Sequence, residues 1–324
     1  MLPTTERLAP IDVIKTVCIG LVIAIHAVDE PGNAAEFYFW QLTRFAMPMF
    51  LAVSGWLQAT EEPIPWRRTL GRLKRLLIPY LCASILAEYY WASRGEPRSA
   101  ARIFHDLMLA DAFGPYYYVF AIGTMTLLGT ILARRVRGRL LKAWLALLAL
   151  RAAAIALVTV FPEGGITDLF WVTRDPTHNA TYYLAGWVAA LYREPLGNFC
   201  RKHSMSLLSV GVPAAAALSA IAPLREVPLA ANLAGWLNTL VLGAVVALAA
   251  TRVTRAPRIV RLVSDATYAI YLYHLFFVLE VLRALPPSTL QEISAWCAGL
   301  LGSVLVVAAS RWVLRERART WVGA

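Results

Sequence analysis

Residues 11–28 read IDVIKTVCIGLVIAIHAV, an apolar run long enough to cross a bilayer as a helix, with Asp12 and Lys15 near its start and His26 near its end. Runs of the same kind recur at roughly 37–58, 72–92, 114–133, 139–160, 179–193, 204–222, 229–251, 266–285 and 291–313. The sixth, 179–193, is the shortest. This recurrence predicts an all-α, polytopic transmembrane bundle of about ten spans, forming a single membrane domain over residues 1–324. Asp12 and Lys15 interrupt the first run and no small-x-small cleavage site follows, so it is read as a span and not as a removed signal peptide.

Composition agrees with this reading. Of the 324 residues 59% are hydrophobic and 16% charged, whereas soluble domains carry about 45–50% and about 25%. A formal charge of +11 could suggest a nucleic-acid partner, but the basic residues are dealt out among short loops and form no patch, so none is expected. Counted over alternate loops, Lys and Arg number 21 on one side and 5 on the other. The positive-inside rule then puts both termini in the cytoplasm, and the chain is expected to be of the inner-membrane type. Cys18, Cys82, Cys200 and Cys297 stand far apart, without metal-ligand or redox spacing, and read as small buried hydrophobes.

Ionisable side chains inside spans cost about 2.5–3.5 kcal/mol each on insertion scales, so every one is a candidate for function. Lys15 and His26 are eleven residues apart, which places them within about 20° of one helical face and about 16 Å apart along the axis. Asp12 lies one turn before Lys15, and Asp29 about one turn beyond His26. The second run holds Arg44 at the depth of His26 on an antiparallel neighbour, followed by Pro48, expected to kink the helix and free carbonyls, and by Ser54. An arginine there keeps its proton and needs an anion or a polar cavity. Arg72 and Arg75 share a face at the cytoplasmic start of the third run, where a guanidinium pair can grip phosphate. Ordinary readings exist beside these. His26 could bond a backbone carbonyl, Lys15 could snorkel from its helix end, and Arg72 and Arg75 could only mark topology. The shared face of Lys15 and His26, with no other charge between them, favours function.

Four segments resemble the acyltransferase-3 family, multi-spanning bacterial enzymes that acylate sugars of surface polysaccharides and lipopolysaccharide. They are Ile11–Lys15 leading to His26, Arg44–Gly55, Arg72–Tyr80, and Ser264-Asp265-Ala266-Thr267-Tyr268-Ala269-Ile270-Tyr271-Leu272-Tyr273-His274. In the family a basic residue, usually arginine, precedes the first-helix histidine by eleven positions; here it is Lys15, which keeps the charge and loses the fork. The family's Arg-x-x-Arg matches Arg72 and Arg75, while its Trp-Phe in the fourth helix is replaced by Tyr116-Tyr117-Tyr118, to which no role is carried over.

The resemblance implies transfer of an acyl group, acetyl in the simplest case, from cytoplasmic acyl-CoA to a hydroxyl of a carbohydrate or lipid-linked glycan. Acyl-CoA is then a co-substrate, with no permanently bound cofactor and no metal. His26, Arg44 and Lys15 are the expected catalytic residues, and Arg72, Arg75 and Lys15 the acyl-CoA contacts. Asp12, Ser54 and His274 support them, with His274 packing or hydrogen-bonding near the bundle centre. The rival reading is a transporter or exporter of a small anionic metabolite with His26 as proton relay, against which the lack of an internal repeat counts.

Overall fold

The computed structural model describes residues 8–28, 34–60, 62–135, 139–160, 173–221 and 228–323, and every regular element among them is helical. In chain order these are α1 (Ala9–Ala27), α2 (Ala34–Thr43), α3 (Ala46–Gln58), α4 (Trp66–Ser93), α5 (Ala100–Leu109), α6 (Tyr117–Arg135) and α7 (Leu140–Val160). They continue as α8 (Pro176–Leu191), α9 (Arg193–Ile221), α10 (Pro228–Ala250), α11 (Arg258–Ala284), α12 (Thr289–Leu314) and the short α13 (Ala318–Trp321). Asp29 lies outside the described residues.

Seven of these helices, α1, α6, α7 and α9–α12, are long and apolar enough to cross a membrane. Three of the runs expected to span fall short for separate physical reasons. The second is cut in two between α2 and α3, and α8 has 16 residues. The third, α4, has 28 residues but is polar at both ends, with Arg67, Arg68, Arg72, Lys74 and Arg75 at its start and Glu88 near its finish. Large apolar side chains such as Leu145, Leu150 and Leu157 on α7 and Leu301 and Leu305 on α12 are exposed. Such a surface suits lipid and would drive a soluble protein to aggregate. The chain is a multi-pass membrane protein. One helix has no counterpart among the apolar runs. The amphipathic α5 starts where the Ser99 side chain accepts from the Arg102 amide and stops at Ala110, whose φ of 55° is left-handed.

Paired contacts fix the relative directions of the helices. Lys15 meets Ser264 and His26 meets His274, so α1 and α11 run parallel. The Tyr268 and Tyr90 hydroxyls reach Leu76 O and Glu280, which aligns α4 with α11 as well. Thr69 bonds Thr130 while Tyr80 packs on Tyr116, making α4 and α6 antiparallel. Phe50 packs on Tyr118 and Gln58 bonds Thr126 O, so α3 and α6 share a direction. Antiparallel pairs follow for α7 with α8, from Trp144–Thr181 and Arg151–Asp175, and for α9 with α10, from Ser204–Arg252 and Ser219–Asn238. Successive long helices thus alternate. One end of the bundle gathers His26, Arg44, Tyr117, Arg151, His178 and Trp236, and the opposite end gathers Arg72, Arg75, Arg193 and Arg252.

α3 and α8 meet through glycines. A Cβ on Gly186 would lie 1.8 Å from the Ala52 carbonyl oxygen, and one on Gly55 would lie 1.9 Å from that of Tyr183. Membrane helices associate by such close backbone approach, since lipid offers no hydrophobic drive between them. Gly186→Ala is expected to destabilise the bundle by at least about 1–3 kcal/mol, the range for overpacking, because backbone atoms cannot swing aside. Gly71→Ala, with nothing within 4 Å of its Cβ, serves as the control. Thermal unfolding of the detergent-solubilised proteins, lower for the first and unchanged or raised for the second, is the check.

Candidate active site

One face of α1 is laid against α11, and three of the expected residues stand on it. At its start the Ser264 hydroxyl donates to Asp12 Oδ1 at 2.6 Å, and Lys15 Nζ donates to the Ser264 carbonyl at 2.5 Å. Lys15 is thereby tied to α11 and does not line the cavity described below, contrary to its expected place along a channel.

Further along the face, the His26 ring packs on that of His274, with centroids 5.6 Å apart. His274 is fully buried, and its Nδ1 lies 2.8 Å from Tyr271 O and 3.2 Å from Ile270 O. Carbonyls only accept, so Nδ1 carries the hydrogen and Nε2 of the neutral ring is a bare acceptor. That nitrogen has no hydrogen-bond partner among the described residues.

Arg44 sits at the break between α2 and α3, not within a kinked helix. Pro48 falls in the first turn of α3, where a missing N–H is harmless, and it cannot donate to the Arg44 carbonyl; the next amide, Met49 N, donates to Phe45 O at 2.9 Å. The proline therefore sets where α3 starts, one turn ahead of its own position, and does not bend a continuous helix. The Arg44 guanidinium lies over the Trp40 ring, 4.7 Å from its centroid. It is accessible and opens onto a cavity of about 1060 Å³ that His26, Tyr117 and Tyr118 also line. His26 and Arg44, expected at one depth, both line this cavity. Ser54 is set beside the Tyr118 hydroxyl, one layer behind this wall.

Residues 8–312 match the family model described as an acyltransferase domain. The chain belongs to the acyltransferase-3 family. Neither curated proteins nor solved structures returned a match.

The far wall of the acyltransferase cavity comes from α7, α8 and α10 and was not foreseen. Arg151 of α7 bonds Asp175 at 2.7 Å, and Arg174 bonds Asp111 at 3.1 Å along with the Leu109 and Ala110 carbonyls. Arg151 lies well inside the fifth apolar run and qualifies by the same reasoning as Arg44, so its signal was present. His178 falls at the edge of the sixth run, where topology masks it. Three arginines and two aspartates line the cavity, and each aspartate is engaged by one of the first two arginines. Arg44 is left without a carboxylate partner among the described residues.

Arg72 and Arg75 do not line this cavity. Arg72 is half-buried and reaches Leu57 O at 3.4 Å, at the end of α3 remote from Arg44, while Arg75 is exposed. His105, Asp106 and the cavity-lining Asp111 offer ligand atoms within 4.8 Å of one another. Arg98 and Arg102 bond Asp106 at 2.6 and 2.8 Å, and Arg102 bonds Asp111 at 2.9 Å, so these carboxylates belong to an arginine network that anchors α5.

Proposed function

We propose that this acyltransferase moves an acyl group, acetyl in the simplest case, from cytoplasmic acyl-CoA to a hydroxyl of a carbohydrate or lipid-linked glycan held in the cavity. The observation that carries the reading is that His26 and Arg44 line one cavity inside the bundle. An imidazole can take the proton from an attacking hydroxyl or carry the acyl group transiently, and a guanidinium can hold the oxyanion of a tetrahedral intermediate. His274 stands behind His26, where its bare Nε2 suits an acceptor for the inward-facing N–H and would aim the other nitrogen at the cavity. Asp12, Ser264 and Lys15 lock α1 to α11 and hold His26 in register.

In this proposal the chain crosses a bacterial inner membrane about ten times with both termini inside. The asymmetry of 21 against 5 basic residues supports it, as does the alternation of helix directions, with the cavity at the end remote from most of the arginines. The test is a purified protein given acetyl-CoA and envelope glycan. Thioester cleavage coupled to a mass increment on the glycan upholds the reading, and saturable counterflow in proteoliposomes without cleavage would replace it with transport.

Arg72 and Arg75 are assigned to the CoA phosphates at the basic end. Replacing both with glutamine is expected to raise KM for acyl-CoA at least about tenfold, the worth of one lost charge-assisted contact, and to leave that for the acceptor nearly unchanged. An unaltered acyl-CoA constant would return the pair to topology.

A further inference from the structure

We infer that the α7–α8–α10 wall of the cavity is the acceptor subsite, and that it takes an uncharged sugar ring. The inference rests on the acyl-transfer reading above and adds to it the residues that choose the acceptor. Three polar atoms on residues of this wall are buried with no hydrogen-bond partner among the described residues: Arg151 Nε, His178 Nδ1 and Trp236 Nε1. The arginine and tryptophan N–H groups can only donate. Buried polar groups are otherwise almost always paired, so orphans gathered on one wall of one cavity point to an oxygen-bearing ligand.

Charge narrows the class. Arg151 is neutralised by Asp175 at 2.7 Å, so the wall has donors to offer and no net charge to balance. Asn232 donates from Nδ2 to Thr159 Oγ1 at 3.0 Å, which turns its amide oxygen into a free acceptor for a sugar hydroxyl. Aromatic surface is present as well: His178 and Tyr182 pack edge-on at 5.1 Å, beside Trp236. Donors, an acceptor and aromatic rings in one concave wall are what a polyhydroxylated ring with apolar C–H faces needs. The cavity, about 1060 Å³, is at the upper end of ligand sites, about 300–1,000 Å³, and has room for more than a short acyl chain. His26 and Arg44 line the same cavity, so a ring bound on this wall shares the space they border.

Trp236→Phe and His178→Phe keep an aromatic ring, of altered size, and remove the ring nitrogens. Calorimetric titration without acyl-CoA, using neutral oligosaccharides released from the cell's own envelope glycan and their uronate-bearing fraction as the comparison, reads the wall directly. Each variant is expected to weaken binding of the neutral fraction about tenfold, the worth of one hydrogen bond. In transfer assays the same rise should appear in KM for the neutral acceptor and not in KM for acyl-CoA. Parent-like binding by both variants, tighter binding of the uronate fraction, or no binding by the parent protein would overturn the inference. Wall-dependent binding by a parent that cleaves no acyl-CoA would leave the sugar site standing and remove the acyltransferase reading instead.

Discussion

His26→Ala is expected to lower acyl transfer at least about a hundredfold, within the range of about 10²–10⁴ for loss of a general base, while the protein stays folded and monodisperse. Folding should survive because His26 is half-buried on the wall of an existing cavity, so truncation enlarges that space and opens no new void in the core. The chemistry has no substitute at that place. His274, the nearest imidazole, is fully buried behind it, holds its Nδ1 hydrogen on Tyr271 O, and does not line the cavity. Transfer assays on purified variants decide the matter, with gel filtration in detergent run in parallel. A folded His26→Ala protein within about tenfold of the parent would fall below the usual contribution of a base, and His26 would lose its role.

Much of the fold could be read from the chain because each apolar run of spanning length became helical, from α1 to α12. What could not be read was which faces meet. In a lipid-exposed bundle the outward face is as apolar as the core, so periodicity does not separate Leu150 and Leu157, which face outward, from buried Ile19 and Ile23. The α2–α3 break was half legible: Pro48 signalled a disturbance, but whether a proline bends a helix or begins one depends on where the preceding chain turns. The short α5 carries an arginine network rather than an apolar run, and no spanning pattern marks it.

The site divides along the same line. His26 and Arg44 announced themselves as ionisable groups within apolar runs, and the structure sets them on one cavity. Lys15 announced itself equally well, yet its partner is the Ser264 carbonyl, an acceptor present on every residue and invisible to spacing arguments. His274 could be seen as a residue, but its place behind His26 depends on α1 and α11 running parallel, a relation between helices far apart in sequence. Trp236 had no signal, because a tryptophan in an apolar run reads as packing until its N–H is found without a partner.

Arg44→Gln is expected to lower kcat about 10²–10³-fold, the measured range for removing one oxyanion donor, and to leave KM for both substrates nearly unchanged. Arg44 differs from the other arginines of the cavity in having no carboxylate partner among the described residues. Arg151 and Arg174 each hold a carboxylate, so removing either would take a partner from Asp175 or Asp111 and perturb the fold. Arg44 rests on Trp40 and faces the cavity, and no carboxylate among the described residues is stranded by its loss. A cation with no carboxylate partner among the described residues gives its interaction to charge that appears only as the tetrahedral intermediate forms, which raises kcat without tightening substrate binding. Arg44→Lys should fall between parent and Arg44→Gln, since it keeps the charge but loses the planar fork and its stacking on Trp40. Steady-state kinetics on the three purified proteins separate the alternatives. If KM for acyl-CoA or acceptor rose while kcat held, Arg44 would be a clamp on the bound substrate, and the oxyanion would have to be held elsewhere.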